Sequence, residues 1–222
     1  MHAGADQLRA QPDRSGIFLD FDGTLSHIVD VPSDARPLDG ARDLLAELGR
    51  RYAAAAIVSG RGAGELLEWF GSEVEIWGVH GAERTSNGEV VLSERALPFL
   101  ESMARARREL EEAVAQLDLR GVIVEDKRIM IGLHYRTAAD PERASGELER
   151  LAAEAARRYG AEVTTGKMAY ELRPPVEFSK AQVVLERAEA LGLECAAFGG
   201  DDVVDLPGYE ALDLLDERGL AT

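Results

Sequence analysis

Asp20-Phe21-Asp22-Gly23-Thr24 places two carboxylates two residues apart, directly after the apolar run Gly16-Ile17-Phe18-Leu19. An acid leaving a buried strand is costly unless a cation or hydrogen bonds compensate it. Asp22-Gly23 is a turn signal, so the acids stand where a strand gives way to a loop. Ser59-Gly60-Arg61-Gly62 interrupts a second apolar run, Ala53 to Val58, and Gly199-Gly200-Asp201-Asp202 ends a third, Ala196-Ala197-Phe198. In open α/β sheets ligands bind outside the carboxyl ends of the strands. Acids from the first and last runs could there share one Mg²⁺, a hard cation that prefers oxygen ligands. A phosphate ester neutralised by that ion could then approach a carboxylate nucleophile.

The elements needed to bring these residues together are legible along the chain. Ala41, Leu44, Leu45 and Leu48 repeat at helical spacing, Glu65 to Phe70 is helical, and Val74 to Val79 is a third strand ending in His80-Gly81. Strand, helix, strand, helix, strand is the pattern of a parallel sheet wound with helices. Asn87-Gly88 between apolar stretches predicts a hairpin. The pattern then changes. A long charged helix carries Leu100, Met103, Leu110, Val114 and Leu117 along one face; strands over 122–124 and 129–133 follow. Pro141 opens a second helix with Ala144, Leu148, Leu151 and Ala155 on its buried side, then short strands near 162–164 and 169–172. Helix-strand-strand occurs twice. We therefore expect an α/β fold: a parallel-sheet core over 16–94 and 178–222, with an inserted α+β unit over 95–177.

After Pro174-Pro175 the parallel pattern returns, with Ala181, Val184, Leu185, Ala188 and Leu191 forming a helical stripe. A doubly wound core would add another strand after Asp201-Asp202, but only a short helix precedes Thr222. Residues 1–15, small and polar, read as a disordered lead-in with no apolar segment of a secretory signal.

Composition narrows the partners. The 222 residues hold 25 Lys+Arg against 41 Asp+Glu, a formal charge of −16, with 45% hydrophobic and 30% charged residues. That is the profile of a globular chain able to bury a core. A nucleic-acid partner, which requires a basic face, is disfavoured. No window approaches the ~20 apolar residues of a membrane span. The single cysteine, Cys195, lies in an apolar run and reads as a small buried hydrophobe; it fits a reducing compartment. We expect a cytoplasmic, monomeric protein.

Asp20-Phe21-Asp22-Gly23-Thr24-Leu25 resembles the DxDGT signature of haloacid-dehalogenase-like phosphatases. Ser59-Gly60-Arg61 resembles the second signature, Lys180 the third, and Gly200-Asp201-Asp202-Val203-Val204-Asp205 the fourth. Gly78-Val79-His80-Gly81-Ala82-Glu83 and Glu125-Asp126-Lys127 with His134-Tyr135-Arg136 are similar to trehalose-6-phosphate phosphatases. The likeness runs from about residue 17 to 212. Departures are Ala181 after Lys180, where the family commonly has Gly, and Val204-Asp205-Leu206-Pro207 in place of a Thr-Asp-Glu run.

The resemblance implies that Asp20 attacks phosphorus and carries the phosphoryl group. It makes Asp22 the acid that protonates the leaving oxygen, then the base for water. Asp20, the backbone carbonyl of Asp22 and Asp201 would hold Mg²⁺, with Asp202 and Asp205 supporting them. Ser59 would bond the phosphoryl oxygens, Lys180 would supply positive charge, and Gly23 and Thr24 would shape the loop around the phosphate. Gly60 and Arg61 belong to that same site. The inserted unit would close over a small sugar phosphate, trehalose 6-phosphate first. Glu125 and Lys127, on one face of a strand, would bind sugar hydroxyls, joined by Glu83 and Glu171. Plainer readings stand beside these. Glu125 and Lys127 could be an exposed ion pair, Lys180 a solvated residue, Asp205 a helix cap, and His134 and Arg136 sheet surface. Other sugar phosphates, sucrose phosphate or glucosyl-glycerate phosphate, remain open, as does a non-catalytic sugar-phosphate sensor.

Overall fold

The computed structural model describes residues 3–29 and 31–222. In chain order the elements are α1 (Ala3–Ala10), β1 (Ser15–Leu19), α2 (Ala41–Arg51), β2 (Ala54–Val58), α3 (Ala63–Phe70), β3 (Glu75–Gly78), β4 (Glu83–Ser86) and β5 (Glu89–Leu92). Then come α4 (Leu100–Gln116), β6 (Ile123–Asp126), β7 (Ile131–His134), α5 (Pro141–Tyr159), β8 (Glu162–Gly166) and β9 (Ala169–Arg173). The chain continues through α6 (Lys180–Leu191), β10 (Cys195–Gly199) and α7 (Leu206–Glu217). It divides into two compact units, one of Met1–Ser93 with Phe178–Thr222 and one of Glu94–Glu177.

The first unit is built on a six-stranded sheet in the order β10-β1-β2-β3-β4-β5. β10, β1, β2 and β3 pair in parallel. The β4–β5 hairpin extends the sheet antiparallel, turning at Asn87 and Gly88 with φ of 53° and 77°. Every residue of β2 is buried, as expected of a parallel strand covered on both faces. Phe18, Ala56 and Val58 pack with Val183, Val184, Ala188, Ala211 and Leu215 of α6 and α7. Ile57 and Ile76 pack with Leu45 of α2 and Leu66 and Phe70 of α3. Full burial of each large side chain contributes about 1.5–3 kcal/mol.

One expectation changes here. The N-terminal segment is ordered from residue 3, rather than a disordered lead-in; Met1 and His2 lie outside the described residues. Its order comes from distant partners. Pro12 O accepts from Ala53 N at 2.9 Å, and Arg14 O accepts from Glu194 N at 2.8 Å. Among the described residues no full strand follows Asp201-Asp202; Ala221 makes a single parallel bridge with Cys195. Cys195 itself is buried and free, and burial pushes its thiol up. No helix among the described residues is long and apolar enough to cross a membrane.

The second unit is an antiparallel sheet, β6-β7-β9-β8. Met103, Ala106 and Leu110 of α4 and Leu148, Leu151, Ala152 and Ala155 of α5 pack with Ile131, Leu133, Tyr170 and Leu172. The register aligns Glu125, Gly132, Glu171 and Thr164 in one row across the four strands. β7 starts two residues later than its apolar pattern suggests. Ile129 and Met130 are buried but belong to the connection, where Arg128 takes φ of 63°.

Candidate active site

Asp20 follows β1, and its backbone N–H donates to Gly199 O of β10 at 2.8 Å. Asp20 is only 4% exposed, and Lys180 Nζ donates to its Oδ1 at 2.5 Å. Burial outweighs the attraction of Lys180 and lifts the Asp20 carboxyl to about 6. Lys180 is itself 2% exposed, and its Nζ also donates to Asp205 Oδ1. A buried ammonium at the start of α6 sits against the helix dipole. Two carboxylates compensate it. Ser179 caps this helix, its hydroxyl accepting from Gln182 N at 3.2 Å.

Asp205 is fully buried and holds the loop after β10. Its Oδ2 accepts from Asp201 N at 3.0 Å and Asp202 N at 3.1 Å. Asp202 caps the short turn at Val203–Asp205, accepting from Val203 N at 2.6 Å. Oxygens of Asp20, Asp201 and Asp205 all lie within 4.8 Å of one another. Burial first, then Asp205, Asp202 and Asp22, raise the Asp201 carboxyl above its ordinary value. The side chain of Asp201 also presses on Gly23, where an added Cβ would lie 2.1 Å from Oδ2 and φ is +79°. Only glycine satisfies both constraints. Three carboxylates against one ammonium leave a negative excess of oxygen donors, the set a hard divalent cation such as Mg²⁺ takes. The residues fit the ion.

The carboxylate of Asp22 stands outside this trio. Arg61 donates to it twice, Nε to Oδ2 and Nη2 to Oδ1, both at 2.8 Å. Arg61 also donates to Glu65 Oε1 at 3.0 Å and Pro32 O at 2.8 Å, and its guanidinium lies over Phe21 and Trp69. So Arg61, expected at the phosphate, is here a fixed partner of Asp22. Ser59 follows β2; its N–H donates to Trp77 O at 2.9 Å and its Oγ accepts from Arg61 N at 3.2 Å. Gly60 runs against His80, where a Cβ would come within 3.0 Å of the ring. Thr24 is half-buried in the loop closed by its N–H on Phe21 O at 3.3 Å. Glu83, expected at the sugar, is 3% exposed and accepts from Ala63 N at 2.9 Å, at the start of α3.

Within the second unit, Lys127 Nζ lies 3.0 Å from Glu171 Oε1 and 3.7 Å from Glu125 Oε2. Burial disfavours the ammonium, but Glu171 and Glu125 together raise its pKa above the ordinary value. His134 Nε2 lies 2.8 Å from the same Glu125 oxygen. Gly132 keeps this face open, since a Cβ there would meet His134 at 2.7 Å and Glu125 at 3.0 Å. Arg136 lies in the turn after β7. A separate cavity of about 350 Å³, lined by Trp77, Arg84, Thr85 and Arg187 among others, includes none of the site residues expected from the sequence.

Sequence reasoning left three links unseen: Arg61 with Asp22, Glu83 with Ala63, and the central place of Asp205. Asp205 alone had a signal, as the last acid of the Gly200–Asp205 run.

A parallel-sheet core with acids at its strand ends, a buried lysine and an inserted α+β unit is the haloacid-dehalogenase-like phosphatase architecture. A haloacid dehalogenase-like hydrolase from Bacteroides thetaiotaomicron shares the fold, at 18% identity and a TM-score of 0.55 over 89% of this chain and 85% of that one. The chain belongs to the trehalose-phosphatase family, whose model matches residues 18–217. It is 34% identical over 217 residues to a trehalose-phosphate phosphatase of Mycolicibacterium paratuberculosis, covering 94% of this chain and 54% of that protein. The chain thus spans about half the length of such curated relatives. A crystal structure of a trehalose-6-phosphate phosphatase related protein matches with a TM-score of 0.77 and 28% identity, over 89% of this chain and 82% of that one.

Proposed function

We propose that this chain is a Mg²⁺-dependent phosphatase that hydrolyses trehalose 6-phosphate to trehalose and phosphate through an aspartyl-phosphate on Asp20. The observation that carries this reading is the buried Asp20 carboxylate, fixed by Lys180 beside Asp201 and Asp205. Family membership and the named relatives support the substrate.

An Asp20 oxygen attacks phosphorus as the bond from phosphorus to the sugar oxygen breaks. Asp22 gives a proton to that leaving oxygen, then takes one from the water that attacks the acyl phosphate, freeing Asp20 and releasing phosphate. Lys180 steadies the carboxylate in line, and Ser59 offers its hydroxyl to the phosphoryl oxygens. Asp20, Asp201 and Asp205 would hold Mg²⁺, with the Asp22 carbonyl as a further oxygen donor. When bound, the ion supplies positive charge that offsets the phosphate and the carboxylates. In the Glu94–Glu177 unit, Glu125, Lys127 and Glu171 supply charged acceptors and donors suited to vicinal hydroxyls, and His134 orients Glu125.

The test is phosphate release from trehalose 6-phosphate, with Mg²⁺ and with chelator, beside sucrose phosphate and glucosyl-glycerate phosphate. Metal-dependent release strongest on trehalose 6-phosphate is the expected result. A preference for another sugar phosphate would reassign the substrate and keep the chemistry. Tight sugar-phosphate binding without turnover would make the chain a sensor.

A further inference from the structure

The segment Gly78–Glu83 takes no part in the chemistry just described, yet it is the most constrained turn next to the site. Val79, His80 and Gly81 all have positive φ, at 49°, 57° and 103°. Two of these are not glycine, and such residues persist only where their surroundings over-determine them. The surroundings here are the loop that carries Ser59 and Arg61. Val79 N donates to Arg61 O at 2.8 Å and His80 N to Ser59 O at 2.9 Å. Glu83, paired across the ladder with Gly78, accepts from Ala63 N at 2.9 Å and so ends the loop. Gly78 admits that approach: a Cβ there would lie 2.3 Å from Ala63 N and 2.8 Å from Arg61 O. On its other side the turn meets α6, where a Cβ on Gly81 would lie 2.6 Å from Val183 Cγ2.

We propose that Glu83 and the Val79–Gly81 turn are a positioning device. They fix the backbone of residues 59–63, which sets the Ser59 hydroxyl and, through the Arg61 guanidinium, the carboxylate of Asp22. Glu83 acts as a backbone acceptor in this scheme, and not as a ligand for the sugar. The inference rests on the phosphatase reading for its kinetic consequence and on the hydrogen-bond geometry alone for its structural one.

The two consequences are measured separately. Glu83→Ala lowers kcat on trehalose 6-phosphate with Mg²⁺ by about 10–100-fold while KM moves little, because a bond to a charged acceptor is lost. Glu83→Gln keeps an acceptor oxygen and restores most of kcat. Hydrogen exchange of the 59–63 amides speeds in the alanine variant and returns towards the wild-type rate in the glutamine variant. Should Glu83→Ala not fold, Gly78→Ala is the second probe: it pushes Ala63 away and reproduces the kcat loss and the faster exchange. A large KM increase at unchanged kcat in both Glu83 variants would overturn the proposal in favour of a sugar ligand. Unchanged exchange at 59–63 in Glu83→Ala would overturn it too. If the wild-type chain releases no phosphate from any sugar phosphate, the phosphatase reading falls, and the exchange measurements still decide whether the device exists.

Discussion

The two units each carry a lysine between two carboxylates, and they use the same charges in opposite ways. Lys180 lies between Asp20 and Asp205 with side chains 2%, 6% and 0% exposed. Lys127 lies between Glu171 and Glu125 with 15%, 26% and 36% exposed. In the first cluster no water can replace a missing partner, so each charge depends on the others. In the second, water remains at hand and the groups can exchange partners with a ligand. Chemistry needs a nucleophile held in one place. Recognition of a polar sugar needs groups that are ordered yet reachable. The proposed chemistry would use the strand ends buried under α6, and the proposed sugar recognition the row of charged residues around Gly132 on a sheet face.

Four experiments break or sharpen that contrast, from the largest effect down. Asp20→Asn should cut turnover by roughly 10⁴–10⁶-fold, the scale seen when a nucleophile is removed, while circular dichroism and sugar-phosphate binding stay close to wild type. Lys180→Met should cost about 3–5 kcal/mol in urea unfolding, since it strands two buried carboxylates; a loss below about 1 kcal/mol would place this cluster in the same class as the exposed one. Gly23→Ala should raise the Mg²⁺ concentration needed for half-maximal activity by about 10–100-fold, because the new Cβ displaces Asp201 from its place. Lys127→Met should change unfolding stability by no more than about 1 kcal/mol. Its effect should fall on KM for trehalose 6-phosphate, and a loss of kcat alone would move Lys127 out of the recognition role.

Local pattern carried the architecture a long way. The Asn87-Gly88 turn signal placed the hairpin, and helical spacing of apolar residues placed the helices now seen over Ala41–Arg51 and Pro141–Tyr159 and the change of pattern before Leu100. These features report burial of one face against whatever lies beside it, and they need no knowledge of the partner. The N-terminal helix was missed for the same reason: its partners lie far along the chain, Gln7 Nε2 donating to Glu194 O and Cys195 Sγ to Gly4 O, both at 3.5 Å.

By itself the sequence determined that Asp20 and Asp22 leave a buried strand, that Ser59 and Asp201 leave two others, and that the unit between Glu94 and Glu177 interrupts the core. Only the tertiary structure decided which charges meet. Lys180 reaches Asp20 across 160 residues of chain. Asp205 comes within 4.8 Å of Asp20 and Asp201 and holds both the Lys180 ammonium and the Asp201 and Asp202 amides. Asp22 turns to Arg61, and Glu83 spends an oxygen on Ala63. Hydropathy is a property of each segment, whereas a charge pair is a property of where two segments end, and that is fixed only when the sheet has formed.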